Sequence, residues 1–144
     1  MSGSESRAIA KQLGAYATFA NCAQDDLIAL ADAGARFALP AEWTLVQEGI
    51  PADACYVIME GSARVFHERA EIAVLGPGDV VGEMTLLGGG QRRATVSSVT
   101  SLRGLRVEND TLAALLTKRP QLREALTKVY QAHQGADAPQ SPPS

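Results

Sequence analysis

The sequence predicts a mainly β domain with flanking helices: an eight-stranded antiparallel jelly roll (β-roll) with N-terminal helices and two C-terminal helices. Two observations carry this. Between Ala35 and Val107, short apolar runs alternate with turn signals, the pattern of antiparallel strands. On either side of that region the apolar residues return at helical spacing instead. The 144 residues suit one domain, and a 46% hydrophobic composition supports an ordinary core.

Residues 1–16 read as an N-terminal helical extension, with Ile9, Leu13 and Tyr16 at helical spacing behind a small, polar, frayed start. A second helix is expected from near Asn21 and Cys22. Asn21 is its candidate N-cap, Asp25 and Asp26 occupy the first turn, and Gly34 is the stop. The expected strands are Arg36–Leu39, Thr44–Gln47, Cys55–Met59, Ala63–His67, Glu71–Leu75, Asp79–Val81, Ala94–Val99 and Leu102–Val107. Pro40, Gly49 with Pro51, Gly61, and Gly76 with Gly78 mark the turns between them. Asn109 or Asp110 can cap a helix whose core face is Leu112, Leu115 and Leu116. Pro120 ends that helix or opens the next, where Leu122, Leu126, Val129 and Tyr130 form one stripe. Gly135 is the expected stop, and residues 135–144 read as a disordered tail.

Several function classes find no support. The formal net charge is −3 and no basic stripe stands out, so direct DNA binding is not expected. No run approaches a membrane span, and the N-terminus has no apolar signal core. The expected compartment is therefore the cytoplasm. Cys22 and Cys55 are too few for a disulfide framework, and Cys55 reads as a small buried hydrophobe. An enzyme is not expected. There is no GK[ST] phosphate loop and no Gly-x-Ser-x-Gly turn. His67 and His133 lie far apart without metal-like neighbours in sequence, so both read as surface residues and no metal or other cofactor is expected.

The chemistry concentrates in residues 76–99, GPGDVVGEMTLLGGGQRRATVSSV. Gly76-Pro77-Gly78-Asp79 is a tight turn, and Gly82 leaves no side chain between backbone and a docked ligand. Met84-Thr85-Leu86-Leu87 can make one helical turn whose first N–H groups lack internal partners and attract anions. Glu83 and Arg92, nine residues apart, stand at the two ends of a folded-back, glycine-rich loop. The guanidinium matches phosphate geometry, and the carboxylate needs a hydroxyl or N–H donor facing it. A small ligand carrying one phosphate and one hydroxyl fits both. The plain alternative is a Glu83–Arg92 salt bridge across a solvated loop.

This segment resembles the phosphate-binding cassette of cyclic-nucleotide-binding domains, found in catabolite-activator-type regulators, regulatory subunits of cAMP-dependent kinase and cyclic-nucleotide-gated channels. The family pattern, aromatic-Gly-Glu-Leu-Ala-Leu-Leu, a short loop, then Pro-Arg-Ala-Ala-Thr-Val, is matched by Val81-Gly82-Glu83-Met84-Thr85-Leu86-Leu87 and Gln91-Arg92-Arg93-Ala94-Thr95-Val96. Gly49, Asp53, Tyr56, Ile58, Gly61, Leu75, Gly78 and Asp79 also fall where the family repeats those residue types. The resemblance implies that Glu83 takes the ribose 2′-hydroxyl, Arg92 the cyclic phosphate, and N–H groups near Met84 and Thr85 the rest of the phosphate. The candidate ligand set is Gly82, Glu83, Met84, Thr85, Arg92, Arg93, Ala94 and Thr95, with Tyr130 a candidate lid over the base. Val81, Gln91 and Arg93 depart from the pattern. Strand alternation puts Arg92 and Arg93 on opposite sides, and the four-residue offset to Val96 favours Arg92, with swapped roles as the alternative.

The resemblance thus implies a non-catalytic sensor of residues 17–134 that binds a cyclic nucleotide, cAMP first and cGMP second, and signals through its C-terminal helices. The alternative is a degenerate domain of the same fold that binds no nucleotide and pairs with a second copy or a partner protein through Leu122–Tyr130. The family's transcription factors continue into a helix-turn-helix module, and the residues after 134 predict none.

Overall fold

The computed structural model describes residues 2–49, 53–82 and 94–137, with backbone alone at Tyr130 and at residues 132–137. Helix α1 (Gly3–Gly14), a 3-10 turn (Ala17–Phe19) and α2 (Gln24–Ala33) lead into the strands. These are β1 (Ala35–Leu39), β2 (Thr44–Val46), β3 (Ala54–Glu60), β4 (Ala63–His67), β5 (Ala70–Leu75), β6 (Val80–Val81), β7 (Thr95–Ser98) and β8 (Leu102–Glu108). Helices α3 (Asn109–Lys118) and α4 (Pro120–Asp137) follow. The eight strands form two four-stranded sheets, one ordered β1-β8-β3-β6 and the other β2-β7-β4-β5, with every neighbouring pair antiparallel. The mainly β roll with helices at both ends stands as the sequence predicts.

The first sheet is covered on both faces, and β3 shows why its sequence ACYVIME is almost continuously apolar. Successive side chains point to opposite faces. Cys55 and Val57 join Leu105 and Val107 against Leu13, Phe19, Leu27, Leu30, Leu112, Leu116, Leu122 and Leu126 of the helical segments. Tyr56 and Ile58 turn the other way, toward Val46, Ala63, Val65 and Val96 of the second sheet. The short β6 splits likewise: Val80 belongs to the helix side and Val81 to the space between the sheets.

Polar contacts fix the helices. Ser2 and Glu5 form a reciprocal cap at the start of α1, and the hydrogen bonds from Ser2 lower the Glu5 carboxyl below its ordinary range. Ser6, fully buried, donates its hydroxyl to Asp32 of α2. Asp26 of α2, buried at 8% exposure, meets the Arg119 guanidinium at 3.1 Å. Arg119 stands between α3 and α4, so this pair ties α2 to the joint between the C-terminal helices.

Three expectations about helix ends are corrected, and a fourth, the stop at Gly34, holds for a different reason. Asn21 is not the cap of α2. The Cys22 N–H is spent on the Phe19 carbonyl in a turn, and Ala23 takes the cap position with no side-chain bond. Gly34 does end α2, but with an extended backbone at φ −107°. A Cβ there would stand 2.9 Å from the Arg106 carbonyl, so close approach to β8 is the reason for glycine. Asn109 and Asp110 lie inside α3, whose cap position is Glu108. Helix α4 runs through Gly135 to Asp137, so the tail expected from residue 135 begins no earlier than 138; residues 138–144 lie outside the described residues.

Candidate functional site

Glu83, Met84, Thr85, Arg92 and Arg93 lie outside the described residues, as does the Tyr130 side chain. Gly82, Ala94 and Thr95 flank that stretch, and their surroundings define the site. Gly82 follows β6 at the edge of the first sheet, with φ at 99°, a backbone state that L side chains rarely adopt. Thr95 opens β7 in the interior of the second sheet, between β2 and β4, and Ala94 before it is half-buried. The structure therefore does not bring Gly82 and Thr95 together within one sheet. The sequence carrying Glu83 and Arg92 joins the two sheets.

Both ends of the join are firmly held. Val80 and Val81 pair with Val57 and Tyr56 of β3, and both are buried. The turn before them is closed by the Gly76 N–H donating to Asp79 Oδ2 at 2.7 Å. The Gly78 N–H donates to the Ile58 carbonyl at 2.8 Å, and the Ile58 N–H to the Asp79 carbonyl at 2.9 Å. From outside, Thr18 Oγ1 donates to the Gly78 carbonyl at 2.8 Å, and the Tyr16 ring lies so close to Gly78 that a Cβ there would meet it at 3.0 Å. The N-terminal segment thus braces the turn that leads into Gly82. Sequence spacing assigns Tyr16 only a helical packing role, because Gly78 lies far along the chain.

On the second sheet, Thr95 Oγ1 accepts the Glu48 N–H at 3.0 Å, and Val96 pairs with Val46 on one side and Val65 on the other. Glu48 also approaches His67, whose Nδ1 lies 3.2 Å from Glu48 Oε2. His67 is therefore half-buried with a carboxylate neighbour, which corrects the expectation of a bare surface histidine. Glu48 and His67 are brought together only by the pairing of β2 and β4 on β7, so sequence proximity held no signal.

The space between the two sheets is lined by apolar side chains. Phe37 and Tyr56 meet edge to face with centroids 5.4 Å apart, and Leu39, Val65 and Leu75 are half-buried beside buried Val46, Val81 and Val96. Arg106, Asp53 and Glu108 form a charge network where the start of β3 lies beside the end of β8. Arg106 Nη1 donates to Glu108 Oε2 at 2.5 Å, Nη2 lies 3.4 Å from Asp53 Oδ2, and the guanidinium lies 6.0 Å from the Tyr56 ring centroid. The Glu108 hydrogen bond, with a contribution from Tyr56, raises the Arg106 pKa further above its already high ordinary value. Among the described residues no helix is long and apolar enough to cross a membrane.

Comparison with known proteins follows this geometry. The family described as "Cyclic nucleotide-binding domain" matches residues 36–119. The chain is 26% identical over 95 residues to a CRP-like cAMP-activated global transcriptional regulator of Mycobacterium tuberculosis, covering 62% of this chain and 42% of that protein. It thus spans less than half the length of that relative. Among solved structures, PKAR CBD2 with Sp-2Cl-cAMPS bound superposes with a TM-score of 0.84 at 16% identity, over 97% of this chain and 94% of that one, a likeness of fold. The regulatory domain of Toxoplasma gondii PKA with cAMP superposes with a TM-score of 0.69 at 25% identity, over 80% of this chain and 46% of that one.

Proposed function

Since the chain belongs to the cyclic nucleotide-binding domain family, we propose that it is a non-catalytic sensor that binds cAMP and signals through α3 and α4. One observation carries the reading. The sequence with the family's Gly-Glu and Arg-x-Ala-Thr-Val motifs joins two sheets whose facing walls are apolar and whose anchor points, Gly82 and Thr95, are braced from both sides. Arg92 and loop N–H groups take the cyclic phosphate in place of water. Glu83 accepts the 2′-hydroxyl and so discriminates against a ligand lacking it. The apolar walls take the base. The M. tuberculosis relative is cAMP-activated, and the T. gondii domain holds cAMP, which favours cAMP over cGMP. The reading assigns binding to residues 17–134, treats 1–16 as an extension, needs no cofactor, and takes the cytoplasm as the compartment.

The alternative, a nucleotide-free module pairing through Leu122–Tyr130, meets an obstacle. Leu122 and Leu126 are already buried in the protein's own helix-side core, at 0% and 2% exposure.

Thermal unfolding with each nucleotide tests the binding claim. A hundredfold excess of cAMP over its dissociation constant stabilises by about 2.7 kcal/mol, and a larger shift with cGMP reverses the assignment. Absence of any shift with either nucleotide leaves the nucleotide-free module. Signalling is tested by hydrogen exchange of residues 109–134, where cAMP is expected to alter protection; a ligand biases a two-state element only through differential contacts.

A further inference from the structure

A second cluster of chemistry lies outside the nucleotide cassette, at one end of the second sheet. Glu48 comes two residues after β2, His67 is the last residue of β4, and Glu68 is the first of the β4–β5 turn. Strands β2 and β4 both pair with β7, from opposite sides, so the sheet itself brings their ends together. His67 Nδ1 lies 3.2 Å from Glu48 Oε2, and one ligand atom from each of Glu48, His67 and Glu68 lies within 4.8 Å of the others.

We propose that Glu48, His67 and Glu68 form a zinc site. Three features of the geometry carry this. A tetrahedral zinc ion with bonds of about 2.0–2.1 Å keeps its ligands roughly 3.3 Å apart, so the His67–Glu48 edge already has the required length. Glu68 brings a carboxylate oxygen within 4.8 Å of the other two ligand atoms, and its backbone is held. Its N–H donates to Glu48 Oε1 at 3.2 Å, and the turn is tight, with Glu68 and Arg69 both at positive φ (50° and 75°). The Glu48 backbone is held in turn by its N–H bond to Thr95 Oγ1. Such contacts outside the ligand shell are what orient metal ligands.

Exposure agrees with this. The Glu48 and His67 side chains are about two-thirds covered, at 32% and 33% exposure, whereas Glu68 is exposed and leaves a route from solvent. The donor set of one nitrogen and two oxygens suits zinc, with a water in the fourth position. Magnesium favours an all-oxygen shell and retains its own waters.

The site stands independently of nucleotide binding. Its test uses the full chain without an affinity tag, titrated with Zn²⁺ against a fluorescent chelator, with Co²⁺ absorption as a second readout. The expected result is one ion per chain and a tetrahedral Co²⁺ spectrum. H67A and E48Q should each weaken binding at least tenfold while circular dichroism shows the fold intact. H133A should leave the affinity unchanged, and a hundredfold excess of Mg²⁺ should not displace the ion. Failure to take up Zn²⁺ overturns the proposal and leaves a His67–Glu48 ion pair. Uptake that H67A does not weaken, or that H133A does, also overturns it.

Discussion

The two faces of the first sheet are packed differently. On the helix side the large side chains are sealed: Leu13, Phe19, Leu27, Leu30, Leu105, Leu112, Leu122 and Leu126 are all at 2% exposure or less. Between the sheets, Ile58 and Leu102 are sealed at the centre, while Phe37, Leu39, Tyr56, Val65 and Leu75 around them are only half-buried. The first face is a core in the ordinary sense. The second is a core at its centre and a wall at its rim. The chain alternates between these roles at Val80 and Val81, immediately before the ligand cassette begins. Under the proposed function, stability and ligand binding fall to opposite faces of one sheet.

That division can be broken by substitution. The largest effect is expected on the helix side. Leu13→Ala should cost about 3–4 kcal/mol in urea denaturation, as large-to-small changes at sealed positions do. The protein that remains folded should keep its cAMP affinity within about twofold, a difference well under 1 kcal/mol. A smaller loss, about 2 kcal/mol, is expected for Val96→Ala between the sheets, where a smaller side chain is truncated. Here the affinity for cAMP should also fall severalfold, because Val96 anchors the strand on which the cassette ends. If Leu13→Ala weakens cAMP as much as Val96→Ala does, the two faces are not separable.

Much of the fold was legible because its elements are set by local patterns. All eight strands lie within a residue or two of their expected bounds, since alternation and turn residues fix them. Helix ends were less legible. Asn21 and Asn109 are good capping residues, but the turn ending at Cys22 and the extended backbone at Glu108 decide where α2 and α3 begin. The contacts that organise the molecule at long range left no trace in sequence. Asp26 and Arg119 are 93 residues apart, and Thr18 and Gly78 are 60. At the candidate site, residue types were legible and their supports were not. The motif singled out Gly82 and Thr95, whereas the braces from Tyr16, Thr18 and Glu48 depend on the folded sheets.

The central claim is that Arg92 holds the phosphate of a cyclic nucleotide. Calorimetric titration of the wild-type chain, Arg92→Ala and Arg93→Ala with cAMP tests it most directly. Binding should weaken at least tenfold in Arg92→Ala, on the order of 1.4 kcal/mol or more, and only slightly in Arg93→Ala. Unchanged affinity in Arg92→Ala, or loss in Arg93→Ala alone, would contradict the assignment.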